Sequence, residues 1–357
     1  MLDKFQFVAF SSCNLNDPFF ISLKEDYPLF TDWFNRKAAE SKNAFVYKTP
    51  DGNIQAFLYM KSENEPLELQ DGALPAEPRL KIGTLKINDT IKGLRLGEGV
   101  IGYALWRWRR NPANQIYVTV FEKHQPLIML LTKYGFKYIG RNKNNENVYV
   151  KDKRAFDTTS PYTLFPYILG NFKYAGYIPI NDDFHDALFP YSELYNTVQD
   201  TVEIAAANGI TKVFIATPYS HIEYAVGEPV FIFRKYTGEN NRQYKSCLTS
   251  YCTIVSQECI KMNNRAIISF DEFLKRVGNK SVYDKLTLFD IYNNSKNVII
   301  LTMVYNGFFG KGHNVIYKTL KDKGLFNAHP YEVHLSREQF EQILEMSDTN
   351  VQNVIVD

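Results

Sequence analysis

Cysteine is scarce in this chain: four among 357 residues, at Cys13, Cys247, Cys252 and Cys259. The gaps between the last three lack zinc-knuckle spacing and no histidine pair supports them. The expectation is reduced structural thiols and no metal site. A long hydrophobic run is also missing. Nowhere do about 18 apolar residues follow one another, which excludes a transmembrane helix and a membrane partner of that kind. The opening Met1-Leu2-Asp3-Lys4-Phe5 carries an acid early and no long apolar core, unlike a secretory signal, so a cytoplasmic location is expected. An excess of one charge is absent too. The net charge is +2; residues 1–150 hold 20 Lys+Arg against 16 Asp+Glu, and residues 151–357 hold 21 against 23. Neither half is basic enough to read as a nucleic-acid domain from its charge alone.

What is present is apolar and aromatic: 45% hydrophobic and 15% aromatic residues, the composition of a packed globular protein, and a length that suggests two domains. Phe5 to Phe10 reads as an apolar strand. Asp17-Pro18 opens a helix, because Asp caps the first N–H groups and Pro suits the first turn. A second helix is expected over about 28–40. Ala44 to Lys48 and Ile54 to Lys61 flank Pro50-Asp51-Gly52, a hairpin signal. Residues 62–78 read as a loop and Val148-Tyr149-Val150 as a last edge strand. Over 151–195 aromatics gather around Pro161, Pro166, Pro179 and Pro190, which suggests a structured connector.

The densest signal runs from Leu80 to Phe136. Arg79 to Asn88 reads as a strand, followed by Leu94-Arg95-Leu96-Gly97-Glu98-Gly99 and an apolar helix with Val100, Ile101, Ala104 and Leu105. A second strand, Gln115 to Val120, leads to a short helix closing on Tyr134-Gly135-Phe136. A glycine-opened helix after a strand presents N–H groups and the positive end of a dipole to an anion. This stretch resembles the core of the GNAT superfamily of acetyl-CoA-dependent N-acyltransferases, over residues 1–152. The family's loop reads Arg/Gln-x-x-Gly-x-Gly/Ala. Here both glycines match, while Leu94 stands at the Arg/Gln position with Arg95 beside it.

The resemblance implies a mixed α/β sheet and acetyl-CoA as cofactor. Its diphosphate would lie on the loop amides, and its pantetheine arm between two splayed strands. The cofactor-binding residues it points to are Leu85, Lys86, Ile87, Leu94, Arg95, Leu96, Gly97, Glu98, Gly99 and Val100. The Ile87 N–H would polarise the thioester carbonyl. A carboxylate beside a diphosphate is awkward, so Glu98 is expected to turn to solvent. A base must take a proton from the acceptor amine, and the candidates are Glu122 and His124, with Glu98 behind them. A second reading has Glu122 and His124 capping the helix that Pro126 opens. The family's thiolate acid is a tyrosine four residues before the glycine; that position is Leu131 here, and Tyr134 stands in as candidate. Trp106-Arg107-Trp108-Arg109-Arg110 reads either as arginines complementing the helix end over inward tryptophans, or as a grip on a 3′-phosphate or RNA.

Residues 196–357 read as an α+β domain. A helix is expected over 195–207, then strands at Lys212–Thr217, Pro229–Tyr236, Tyr244–Ser256 and Val298–Tyr305. Helices follow near Phe270–Val277 and Val282–Tyr292. A strand at Tyr331–Leu335 leads into the capping box Ser336-Arg337-Glu338-Gln339. The strands faintly resemble small PUA/ASCH-like β-barrels, which implies RNA or modified-base binding. Between Arg234 and Arg276 stand 8 Lys+Arg against 4 Asp+Glu, interleaved with Tyr236, Tyr244 and Tyr251; a nucleic-acid face and a solvated barrel face are both open. His313 lies on a glycine-rich turn. The resulting expectation is an N-acetyltransferase acting on an amine of a protein or aminoacyl-tRNA. The domain at 196–357, reached through the connector at 153–195, would recognise RNA or a partner. As in some relatives, it could be a toxin or stress enzyme with an inhibitory protein partner. The alternative is a GNAT scaffold that binds nucleic acid or protein without catalysis.

Overall fold

The computed structural model describes residues 5–49, 51–88, 93–190 and 205–357. It divides into two compact units, Met1–Phe156 and Asp157–Asp357. Among the described residues, no helix is long and apolar enough to cross a membrane.

The first unit is built on strands β1 (Gln6–Ala9), β2 (Asn43–Lys48), β3 (Ile54–Glu63), β6 (Arg79–Ile87), β7 (Gln115–Val120), β8 (Lys137–Arg141) and β9 (Asn147–Asp152). A small hairpin, β4 (Leu67–Leu69) with β5 (Gly72–Leu74), fills the stretch expected as a loop. Helices are α1 (Ile21–Asp26), α2 (Phe30–Ala39), α3 (Leu96–Arg109) and α4 (Gln125–Lys133). The sheet order is β1-β2-β3-β6-β7-β9-β8, and only β6 and β7 run parallel. Strand β9, expected at the edge, is interior, because β8 turns back and pairs along its outer side. Asp17 caps the turn at Pro18 as expected, accepting from the Phe19 N–H at 2.8 Å. Phe10, Phe20, Phe30, Phe34 and Phe57 form one buried cluster between sheet and helices α1–α2. Phe10 and Phe57 meet edge to face at 5.4 Å. Each such ring adds roughly 1.5–3 kcal/mol of burial.

The second unit contains β10 (Ile168–Leu169), β11 (Gly176–Asn181), β12 (Thr211–Ala216), β13 (Pro229–Lys235), β14 (Cys247–Met262), β15 (Arg265–Ala266), β16 (Val298–Phe308), β17 (Val315–Ile316) and β18 (Ile355–Val356). Its helices are α5 (Pro161–Leu164), α6 (Asp182–Leu188), α7 (Ala205–Asn208), α8 (Arg242–Lys245), α9 (Phe270–Val277), α10 (Lys285–Asn294), α11 (Tyr317–Asp322) and α12 (Arg337–Met346). The sheet runs β11-β13-β14-β16-β12 as an open path, a curled half-barrel. Its bend comes from β14, sixteen residues long with register shifts that break its pairing with β16 at three points. Bulges of this kind twist and fold a strand over a core. The helix expected over 195–207 lies outside the described residues except for its last turn, α7. Residues 161–188 supply α5, β10, β11 and α6 to this unit.

Two local expectations are corrected here. Tyr331 to Leu335 is no strand: Pro330–Glu332 is a single 3₁₀ turn, and Leu335 alone bridges to Ala175. The chain before β14 is the short helix α8, started by Asn241 in a left-handed conformation at φ 63°. The capping box Ser336/Gln339 is present at the start of α12. The four cysteines are free thiols; burial pushes Cys247 up to about 12 and Cys252 higher still, which keeps both protonated and inert.

Candidate active site

Strands β6 and β7 pair in parallel from Arg79↔Gln115 to Ile82↔Val118 and no further. The paired end is pinned by the buried Arg79, whose Nε donates to the Gln115 side chain at 2.6 Å. Beyond Ile82 the strands part. The cause sits at Gly83. Pairing of β6 with β3 jumps from Met60↔Ile82 to Tyr59↔Thr84, leaving Gly83 as the extra residue of a β-bulge. A Cβ on Gly83 would stand 3.0 Å from the Tyr59 ring, so only glycine fits without displacement. The bulge turns the rest of β6 away from β7 and opens a slot between them.

Past the bulge, β6 stays paired with β3 on one side only. The Asn88 N–H donates to the Gln55 carbonyl at 2.8 Å, on the β3 side. Strand alternation then turns the N–H and C=O of Ile87 and Leu85 toward the side β7 has vacated. Lys86, between them, sends its Nζ to the Phe19 carbonyl and Ser22 hydroxyl, toward the start of α1. Of the three expected residues of this strand, Leu85 and Ile87 thus face the slot with their backbone, while Lys86 is occupied elsewhere.

Helix α3 starts at the same end. Its N-cap, Arg95, is left-handed at φ 56°, and the first intrahelical bond is Gly99 N–H to the Arg95 carbonyl at 3.3 Å. Helix geometry leaves the N–H groups of the first turn, at Leu96 and Gly97, without an intrahelical acceptor. A Cβ on Gly97 would lie 3.4 Å from Leu130 and 3.5 Å from Ile87. The start of α3 therefore meets the end of β6 and the flank of α4 at one point. Leu94 is half-buried, and Leu96 and Val100 are buried.

Glu98 does not turn to solvent. It is 8% exposed and pairs with Arg95, with Lys133 at 3.2 Å, and with the Tyr134 hydroxyl. Two cations thus stand around one carboxylate at the helix start, where the positive end of the dipole favours an anion. Tyr134 is fully buried and its hydroxyl is given to Glu98; Leu131 beside it is also fully buried. Lys151 caps the end of α4 by donating to the Tyr134 carbonyl at 2.7 Å.

The other candidates stand beyond the end of β7. His124 occupies the N-cap position of α4 without a side-chain capping bond; its Nε2 lies 2.9 Å from Asp26 at the end of α1. Burial by itself would raise the Asp26 carboxyl, but Lys123 and His124 outweigh it and hold it below the usual range. Glu122 is exposed and paired with Arg141 at 2.6 Å. The structure thus joins Glu98 to Tyr134 and His124 to Asp26, and sets Glu122 apart from both.

Sequence reading missed Glu146. It is 5% exposed and accepts from Tyr27 at 2.8 Å, Thr119 at 3.2 Å and Asn142 at 2.8 Å. Thr119 lies just past the last parallel pair, so this buried carboxylate borders the diverged end of β7. It sits in the asparagine-rich stretch Asn142-Lys143-Asn144-Asn145-Glu146-Asn147, which carries no pattern to flag it.

At the far end of α3, Trp106 and Trp108 are buried, and Arg109 is buried with them. The Arg107 guanidinium stacks 4.8 Å over Phe45. Fourteen helical residues put this end roughly 20 Å from the helix start. In the second unit, Arg234 is bonded to Asp186, Lys261 donates to Tyr292 and Asn293, and Tyr251 is fully buried. The stretch 234–276 therefore does not present one continuous basic, aromatic face. His313 is half exposed, 4.0 Å from Asp348. Among the described residues, no group of three or more His, Cys, Asp or Glu side chains is placed to hold a metal ion.

No protein-family model matches this chain, and no curated protein matches it. Solved structures similar to it include the AtaTR complex bound with acetyl-CoA, at 14% identity over 43% of this chain and 95% of that one, TM-score 0.32. Another is an acyl-CoA N-acyltransferase described as putative, from Klebsiella pneumoniae, at 13% identity over 42% and 97%, TM-score 0.29. A third is a mutant ZmASCH protein from Zymomonas mobilis, at 10% identity over 48% and 95%, TM-score 0.33. The layout of this chain is a mixed α/β unit followed by an α+β unit whose strands form a curled half-barrel.

Proposed function

We propose that the first unit is an acetyl-CoA-dependent N-acetyltransferase, acting on an amine of a protein or of an aminoacyl-tRNA. One observation carries this reading: the parallel pairing of β6 and β7 ends at the Gly83 bulge, beside a glycine-opened helix start that carries Arg95 and has Lys133 close by. A slot with an unpaired strand edge on one wall and amides at its end fits a long thioester with a diphosphate. When bound, acetyl-CoA supplies the activated acetyl group. The Leu96 and Gly97 amides and the cations Arg95 and Lys133 bind the diphosphate. Glu98 holds those two cations in place from behind. The edge groups of Leu85 and Ile87 would hold the arm, and the Ile87 N–H would supply a hydrogen-bond donor to the thioester carbonyl.

The acceptor must lose a proton. His124 is the candidate best prepared, because Asp26 holds its ring at 2.9 Å. Glu122 is the second candidate, and Glu146 orders Tyr27 and Thr119 at the slot's mouth. Tyr134 is the candidate acid, its hydroxyl now donating to Glu98.

Calorimetry with acetyl-CoA on the full chain tests the reading, followed by thiol release in the presence of protein and aminoacyl-tRNA pools. Saturable binding and amine-dependent thiol release are expected. No binding at millimolar acetyl-CoA would end the reading; binding without turnover on any amine would leave a scaffold and not an enzyme.

A further inference from the structure

The second unit holds a cavity of about 810 Å³ between α5, the loop at 171–174, the turn at 221–228 and the segment 331–334. That is the size of a site for a mid-sized organic ligand. Its walls include Tyr174, Tyr331 and His334, and its charges are Glu223, Glu228 and Glu332 against one ammonium, Lys173.

Glu228 is the built part of this site. Ala225 to Glu228 form a tight turn, closed by Glu228 N–H to the Ala225 carbonyl at 3.1 Å, with Gly227 at φ +87° as such a turn demands. Two further backbone bonds, each 2.9 Å, tie the turn to Ile254 of β14. The side chain folds back so that Oε2 accepts the Ala225 N–H at 2.9 Å. Its other oxygen, Oε1, has no donor among the described residues. It rests above Gly176, where a Cβ would stand 3.7 Å away. Burial raises the Glu228 carboxyl above its usual range, more than the Ala225 N–H lowers it. The Tyr174 ring is packed 5.1 Å from His334, and the Lys173 ammonium already lies 5.1 Å from its centre. Its face therefore accepts a cation.

Three carboxylates against one ammonium repel a phosphate-bearing ligand and attract a cation. Aromatic walls add the face-on attraction that ammonium groups find on tyrosine. We infer that this cavity binds an organic ammonium, with the open oxygen of Glu228 taking its charge and Tyr174 covering its carbon chain. Lys173 occupies part of the same aromatic surface and competes with the ligand. The inference is independent of the acetyltransferase reading, since no residue of the slot takes part.

The test is calorimetry on the full chain with spermidine and with trimethyl-lysine amide, and with AMP as the anionic control. One saturable site for the ammonium probes and none for AMP are expected. Glu228→Gln should weaken the amine by about tenfold, the loss of one charge-assisted contact. Lys173→Ala should tighten it. Should Glu228→Gln fail to fold by circular dichroism, the surface change Lys173→Ala decides alone, and unchanged affinity overturns the inference. It is overturned equally by the absence of amine binding at millimolar concentration, by a folded Glu228→Gln protein that binds like the parent, or by AMP displacing the amine.

Discussion

Gly83 and Tyr59 stand in a relationship that shapes the whole slot: the tyrosine ring fills the space where any other residue at 83 would carry its Cβ, 3.0 Å away. The ring is itself locked in the phenylalanine cluster, edge-on to Phe10 at 5.2 Å. It cannot yield cheaply. The bulge at Gly83 is therefore held from the helix side, and the divergence of β6 from β7 is held with it.

Gly83→Val should lose acetyl-CoA affinity and about 1–3 kcal/mol of stability, the usual range for forcing atoms into a packed core. Calorimetry and denaturant unfolding read the two effects. Parent-like affinity in a folded Gly83→Val protein would separate the slot from the bulge and remove the main support for the proposed function.

Glu98→Gln keeps the shape of the side chain and an acceptor for the Tyr134 hydroxyl, but removes the negative charge that Arg95 and Lys133 share. Stability should fall by about 1–3 kcal/mol, because a half-broken buried ion cluster is worse than none. Affinity for acetyl-CoA should hold or rise, since the helix start becomes more positive. A fall in affinity with unchanged stability would mean that Glu98 meets the ligand itself.

His124→Asn is expected to lower kcat/KM on the best acceptor amine by about 10²-fold. Asp26→Asn should lower it less and leave the protein folded. Glu122→Gln, whose side chain is exposed and tied to Arg141, should change little. A full effect at Glu122 and none at His124 would reverse the assignment of the base.

The second unit should lose stability in acid in two stages. His185 is fully buried, with Nε2 2.7 Å from the Thr249 hydroxyl and Nδ1 2.7 Å from Asp186. Burial holds its pKa below the usual histidine value, more than the Asp186 carboxylate raises it. The unfolded chain therefore takes up the proton first, and stability falls as pH drops below about 6.5. Burial would raise Asp186, but the Arg234 fork, with two bonds of 2.8 Å, and the imidazole bring it down to about 2. Its contribution, present above the carboxylate range, is lost between about pH 4 and 2. His185→Gln should remove the upper stage and keep the lower one, as measured by unfolding midpoints from pH 8 to 3. An upper stage that persists in His185→Gln would assign it to another group.

Much of the strand and helix order was legible because local chemistry fixes it. Asp17-Pro18, the Ser336/Gln339 box and the glycine-opened α3 all act within a few residues of chain. Helix α9 was expected near Phe270–Val277 and has those bounds, with Ser269 as cap and Gly278 after it. The candidate site was legible only as a loop. Glu98 looked like an exposed first-turn acid, and its burial depends on Lys133 and Tyr134, 35 and 36 residues away. His124 looked like a helix cap, and its partner Asp26 is 98 residues distant. Glu146 gave no signal, since two of its three partners, Tyr27 and Thr119, come from distant parts of the chain. The basic stretch 234–276 looked like one face, but the fold ties Arg234 to Asp186 and buries Tyr251 and Lys261.

By itself, then, the sequence determined where elements begin and end, and that a glycine-opened helix start follows a strand. Caps, turns and periodicity are interactions between near neighbours, and they act before the chain has folded. Only the tertiary structure decided that β6 leaves β7 at Gly83, because a bulge exists in the pairing of two strands and not in either one alone. The tertiary structure also decided which charges are buried and with whom, because desolvation and ion pairing depend on partners that distant parts of the chain bring together.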